Sequence, residues 1–264
     1  MFSVYNKVPV TKKVVISQDY DGCFDIMTKE GAEAELVRNK WYWFDLCKES
    51  GIATDARLEL TRQKYNDYLS SITQDADSVH VYVGSDRQSY ALDRHNAKVH
   101  SNGSVFSALQ KLCKTRSSAN QAWVFEPLLL ADPDDKSVRP YGKRRGEAHR
   151  AIGSVNEHLY CAEKESSKVK LILHQIWDAY RQNPRIDEIE FHFIDDRKDL
   201  LDDILKNVSH DLFPQDVAWT FKVTKFDHQA VMSDEEKGPF VYGEVDTKPV
   251  CHSALDISSL ISLV

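Results

Sequence analysis

The chain reads as an α/β protein built on a mostly parallel sheet flanked by helices, on three observations. Five short runs of β-branched and aromatic residues alternate with segments of helical periodicity. Most of the runs are nearly continuously apolar, as strands covered on both faces are. Several stop abruptly at Asp or Gly, residues that turn a chain out of a sheet.

Residues 14–18 (VVISQ) form the first strand, broken by Asp19-Tyr20-Asp21-Gly22. From Lys29 to about Ser50, Leu36, Val37, Trp41, Phe44 and Cys47 recur at helical spacing, with Gly51 as the cap. A second helix begins at Thr54, with Leu58, Leu60, Tyr65, Tyr68 and Leu69 as its apolar positions. Residues 79–83 (VHVYV) make the second strand, which stops at Gly84-Ser85-Asp86. A helix over 104–115 and a third strand over 123–131 follow. Residues 132–146, rich in Pro, Asp, Lys, Arg and Gly, read as an exposed loop. The segment 168–182 is strongly amphipathic, with Leu171, Ile172, Ile176 and Tyr180 on one face and Pro184 beyond its end. A fourth strand over 189–194 runs into Asp195-Asp196 and is followed by a helix over 198–206. Residues 218–223 are the fifth strand, and 225–264 are turn-rich and read as a peripheral segment.

Composition narrows the function. Across 264 residues, 42% hydrophobic content can build a core, which excludes global disorder. The chain is read as one domain, 1–264. No apolar run approaches the roughly 20 residues a membrane span needs, and no signal peptide is recognised at the N-terminus. Five scattered cysteines show no metal spacing and fit a reducing, cytoplasmic setting. A net charge of −7 argues against general nucleic-acid binding. Oligomeric state is not legible.

The chemistry sits where strands end, and in an open α/β sheet ligands bind outside the carboxyl ends of the strands. Asp19 and Asp21 follow the first strand; one carboxylate can attack phosphorus while the other protonates the leaving oxygen. Ser85 ends the second strand and can hold a phosphoryl oxygen. Lys168 opens the amphipathic helix and can neutralise both a carboxylate and a phosphoryl group. Lys170, on another helical phase, competes with it. Asp195 and Asp196 are adjacent carboxylates of the sort that share a divalent cation, and magnesium suits so sparse an acidic set. Each has a plain structural use as well: an Asx turn, a helix cap, a solvated lysine. Their shared placement at strand ends favours one site.

These residues resemble the haloacid dehalogenase (HAD) superfamily of phosphatases. VVISQDYDG, VHVYVGS, the helix of Lys168 and FHFIDD match the family's four motifs in order, over roughly 14–206. The resemblance implies a HAD-type Rossmann-like core and magnesium held by Asp19, Asp21, Asp195 and Asp196. It makes Asp19 the nucleophile, Asp21 the general acid and base, and Ser85 and Lys168 the phosphoryl-holding groups. It leaves open which of Lys168 and Lys170 is the motif lysine, and which of Asp195 and Asp196 touches the metal directly. Cys23 departs from the Thr common at its position. Family members carry cap insertions; 23–78 reads as a small helical cap or as core-packed helices, and 132–167 as a second insertion with several basic residues. The pattern Lys168, Leu171, Ile172, Gln175 followed by FIDDR is also similar to HAD-like effectors of intracellular bacterial pathogens, some of which act on host phosphoproteins. Ser233-Asp234-Glu235-Glu236 and the apolar end would suit a C-terminal type IV secretion signal.

The expected function is therefore that of a magnesium-dependent phosphomonoesterase acting through an aspartyl-phosphate, with a phosphorylated substrate, a phosphoprotein among the options. The alternatives are a catalytically idle binding module that engages a host partner, and a phosphotransferase or mutase.

Overall fold

The computed structural model describes residues 11–20, 23–24, 54–85, 87–88, 90–100, 103–127, 167–182, 186–226 and 240–247. The expected helix over 29–50, the 132–146 loop and most of both insertions lie outside them. The elements in chain order are β1 (Lys12–Gln18), α1 (Thr54–Thr73), β2 (Ser78–Val83), α2 (Tyr90–His100), α3 (Val105–Arg116) and β3 (Ala122–Glu126). They continue with α4 (Ser167–Arg181), β4 (Glu188–Asp195), α5 (Lys198–Asn207), β5 (Ala218–Lys225) and β6 (Phe240–Thr247).

The six strands form one sheet in the order β3-β2-β1-β4-β5-β6. All pairings are parallel except that of β5 with β6. Strand order reverses between β1 and β4, so the crevice between their carboxyl ends is the topological switch point of the sheet.

Two apolar layers hold helices to the sheet. Val14 and Ile16 of β1 and Val79 and Val81 of β2 pack with Tyr65 and Leu69 of α1 and Phe106 and Leu109 of α3. On the other face Val15, Phe191, Phe193, Phe221 and Val223 pack with Ile172 and Ile176 of α4 and Leu201 and Ile204 of α5. Successive β1 residues thus serve opposite layers, and the strand is buried along nearly its whole length. That is why its sequence reads as a continuous apolar run.

The β4–β5 part of the α1 face is polar instead. Glu190 accepts bonds from Lys12 (2.5 Å), Lys222 (2.7 Å) and His192 Nε2 (2.9 Å). Tyr68 Oη bonds His192 Nδ1 at 3.1 Å and Thr224 at 2.7 Å, so Glu190, His192 and Thr224 each have a partner.

Lys13 is buried, and its ammonium donates to Ala179 O in the last turn of α4 at 3.0 Å, a favourable end of the helix dipole for a cation. Burial nonetheless pushes its pKa down to about 8, with Glu126 and Asp178 opposing. The unfolded chain therefore binds more protons than the folded one between that value and 10.5, and stability from this group rises with pH there. Compared with Lys13→Met, wild type should gain about 2 kcal/mol between pH 7 and 9.5 in urea titrations of both chains. A constant difference would contradict this.

The structure departs from the sequence reading in three places. α2 was not expected, because Tyr90–His100 mixes polar and small residues without a continuous apolar face. β3 ends at Glu126 and is followed by Pro127, which has no N–H to continue a ladder. Within the segment read as peripheral, β6 adds an edge strand, disguised by Gly243 in its centre and by a register shift opposite Val223 and Thr224 that passes over Tyr242. Among the described residues no helix is long and apolar enough to cross a membrane.

Candidate active site

Asp19 is the first residue beyond β1, and its N–H bonds Ile194 O of β4 at 2.9 Å. This main-chain bond keeps the ends of the two central strands together and carries Asp19 to the switch point. Asp195 and Asp196 arrive there from β4. The three carboxylates each offer an oxygen within 4.8 Å of the others.

Lys168, in the first turn of α4, lies across them. Its Nζ donates to Asp19 Oδ1 at 2.5 Å, to Gly84 O at 2.5 Å and to Asp195 Oδ2 at 3.2 Å. The side chain is 6% exposed, and Phe193 presents its ring 5.6 Å from the ammonium. Such a cation is desolvated but fully occupied, the condition under which a buried charge is tolerated.

One ammonium does not balance three carboxylates. Burial pushes the Asp19 carboxyl well above the ordinary carboxylate range; Lys168 opposes that push and Asp195 adds to it. Burial, and then the charge of Asp195, raise Asp196 to about 7. A divalent cation would offset this negative charge, and an all-oxygen donor set is of the kind magnesium takes. The donor set fits that ion on charge and chemistry.

Gly84 makes the close approach of β2 to this corner possible. Its N–H bonds Gln18 O at 2.7 Å, and a Cβ would stand 2.8 Å from Gln18 C, 2.9 Å from Ser17 Oγ and 3.0 Å from Asp19 N. Two of these neighbours are backbone and cannot swing aside. Gly84→Ala should cost about 1–3 kcal/mol in a urea titration. It should also lower turnover, because Asp19 must shift; unchanged stability and activity would contradict the packing.

Ser85 follows, buried, with Oγ accepting from Arg87 N at 3.3 Å and its carbonyl accepting from Gln88. The serine is thus one residue from the carbonyl that Lys168 holds, as the sequence places it. Asp195 combines two uses: Oδ2 takes Lys168, while Oδ1 accepts from Arg197 N at 2.9 Å, the cap-like bond weighed as its structural alternative. Asp199 is exposed and pairs with Arg197 away from the cluster. Asp21, Gly22 and Asp86 lie outside the described residues, as does the side chain of Lys170.

Sequence reasoning missed the groups that brace the loop after β1. Gln18 donates to Asp19 O (2.8 Å) and Cys23 Sγ (3.1 Å), and accepts from Tyr65 Oη at 2.5 Å. Cys23 N in turn bonds Tyr20 O at 3.2 Å, so the main chain of Cys23 closes the turn while its thiol accepts from Gln18. Arg87 is buried, with its guanidinium 4.8 Å from the Tyr20 ring centre. It donates to Gly103 O at 3.0 Å and pairs with Asp93 at 3.4 Å. Gly103 has φ +81°, a conformation that glycine adopts without strain.

No family model, curated protein or solved structure matches the chain.

Proposed function

We propose that the chain is a magnesium-dependent phosphomonoesterase of the HAD type, with Asp19 as nucleophile. The observation that carries the reading is Lys168 bridging Asp19, Asp195 and the Gly84 carbonyl at the switch point of a parallel sheet. An aspartate used only as a turn would have no need of a buried counter-ion contributed by a helix 149 residues away.

Magnesium held by Asp19, Asp195 and Asp196 would offset phosphoryl charge and keep the three carboxylates ionised. Lys168 neutralises the nucleophile and the equatorial oxygens, and its fixed contacts mean that little reorganisation accompanies the reaction. Asp19 attacks phosphorus in line with the ester oxygen, forming an acyl phosphate as the P–O bond to the leaving group breaks. Asp21 is the acid that protonates that oxygen and then the base that deprotonates the hydrolytic water, as the family resemblance implies. Ser85 binds a phosphoryl oxygen. The substrate class is a phosphate monoester, with phosphoproteins among the candidates.

The test is hydrolysis of para-nitrophenyl phosphate by the full chain with magnesium and with EDTA. Turnover that requires magnesium supports the reading. No turnover from folded protein, together with no binding of beryllium fluoride, would transfer the site to a binding module. Transfer to an added alcohol in preference to water would make the chain a phosphotransferase.

A further inference from the structure

We propose that the outer edge of β3, with the groove beside it, docks an extended acidic segment of a partner protein, which adds a strand to the sheet. A groove of about 950 Å³ lies between β3, α2 and α3. Trp123, Val124 and Phe125 all line it. Consecutive strand residues point to opposite faces, so a cavity that meets all three abuts the edge of the strand rather than one face of the sheet. β3 ends the strand order, and among the described residues it pairs with β2 alone. An edge of this sort presents main-chain donors and acceptors to an incoming strand.

The groove also states the chemistry of its occupant. Arg94, Lys98 and Lys114 line it and are exposed. Asp93, the one acidic residue among the described residues that line it, is buried against Arg87, Ser104 and Val105 N rather than turned to the positive rim. A chain of net charge −7 that gathers three cations around one groove favours an acidic ligand there. Tyr90, 49% exposed, and Val124, 37% exposed, are two of the few large apolar groups left to solvent among the described residues and suit alternating side chains of a bound strand. None of the groove residues belongs to the carboxylate cluster, so docking there does not depend on phosphatase activity. The groove nonetheless meets the cluster's supports, since Asp93 holds the Arg87 that covers Tyr20, next to Asp19.

The test is fluorescence anisotropy of the full chain with a labelled peptide alternating Asp or Glu with Val or Phe. Saturable binding that weakens as salt is raised is expected. Reversing the rim together, Arg94→Glu, Lys98→Glu and Lys114→Glu, should weaken binding about tenfold or more while the circular-dichroism melt is unchanged. If the triple variant does not fold, Lys98→Glu and Lys114→Glu taken singly should each weaken it. Methylating alternate peptide nitrogens should weaken it about tenfold as well, because the main-chain donors are lost. Equal binding to the reversed rim or by the methylated peptide would overturn the proposal, as would tighter binding of a lysine-bearing peptide or of single-stranded RNA. Binding seen only once Asp234, Glu235 and Glu236 are replaced by Lys would assign the groove to the chain's own acidic segment and overturn a partner in trans.

Discussion

Asp19→Asn should abolish phosphomonoesterase turnover, by a factor on the order of 10⁴ or more, and leave the protein at least as stable as wild type. The amide is isosteric but cannot attack phosphorus, so no acyl phosphate forms and the remaining groups have nothing to assist. The stability half of the expectation separates this residue from ordinary buried aspartates. Removing one member of a buried ion pair usually destabilises, because the partner charge is stranded. Lys168 would not be stranded, since Asp195 and the Gly84 carbonyl also accept from it. The variant removes one of three mutually repelling carboxylates, and burial disfavours the charge of Asp19. Steady-state kinetics together with a thermal melt in EDTA read both halves. Retained turnover would remove Asp19 as nucleophile; lost turnover with a collapsed melt would make it structural.

Lys168→Met should have the opposite stability signature. The thioether fills much of the space of the lysine stem, but Asp19 and Asp195 lose the ammonium that bonds them, Asp196 loses a neighbouring positive charge, and the Gly84 carbonyl loses a bond. Breaking a buried charge network in this way costs about 3–5 kcal/mol. In EDTA the midpoint of urea unfolding should fall accordingly, and magnesium should recover a substantial part by balancing the exposed negative charge. Turnover should fall with or without the recovery, because the cation that neutralises the phosphoryl group is gone. Equal stability in EDTA would show that the lysine contributes no net charge compensation. A loss that magnesium does not touch would mean that the carboxylates do not share a cation.

The two variants also show what the sequence could and could not convey. Asp19, Lys168, Asp195 and Asp196 were legible because each occupies a punctuation point: a strand end or a helix start, where a charged residue after an apolar run is conspicuous. The parallel sheet was legible because β1, β2 and β4 are covered on both faces and therefore read as apolar runs. β6 and α2 were not, since an edge strand with a central glycine and a helix with few apolar positions carry weak periodic signals. The braces of the site were also hidden. Gln18 with Tyr65, and Arg87 with Asp93, are polar side chains whose partners are chosen by tertiary packing, and nothing in their local sequence names those partners. The Gly84 carbonyl belongs with them: a main-chain acceptor has no letter of its own, and only the closeness of β2 to β1 gives it a role.

The pairing of β1 with β4 joins residues some 176 positions apart, as between Thr11 and Asp187. Parallel neighbours so distant in sequence can meet only after a long loop has closed, which places this step late and makes it slow. The cluster of Asp19, Lys168 and Asp195 straddles that same seam. During synthesis, a ribosome-bound chain that stops short of β4 can form β1, α1 and β2, yet it cannot assemble the charge balance at their ends. Those aspartates would remain hydrated until the last long-range contact is made, so recovery of the site after dilution from denaturant should coincide with the slowest folding phase rather than precede it.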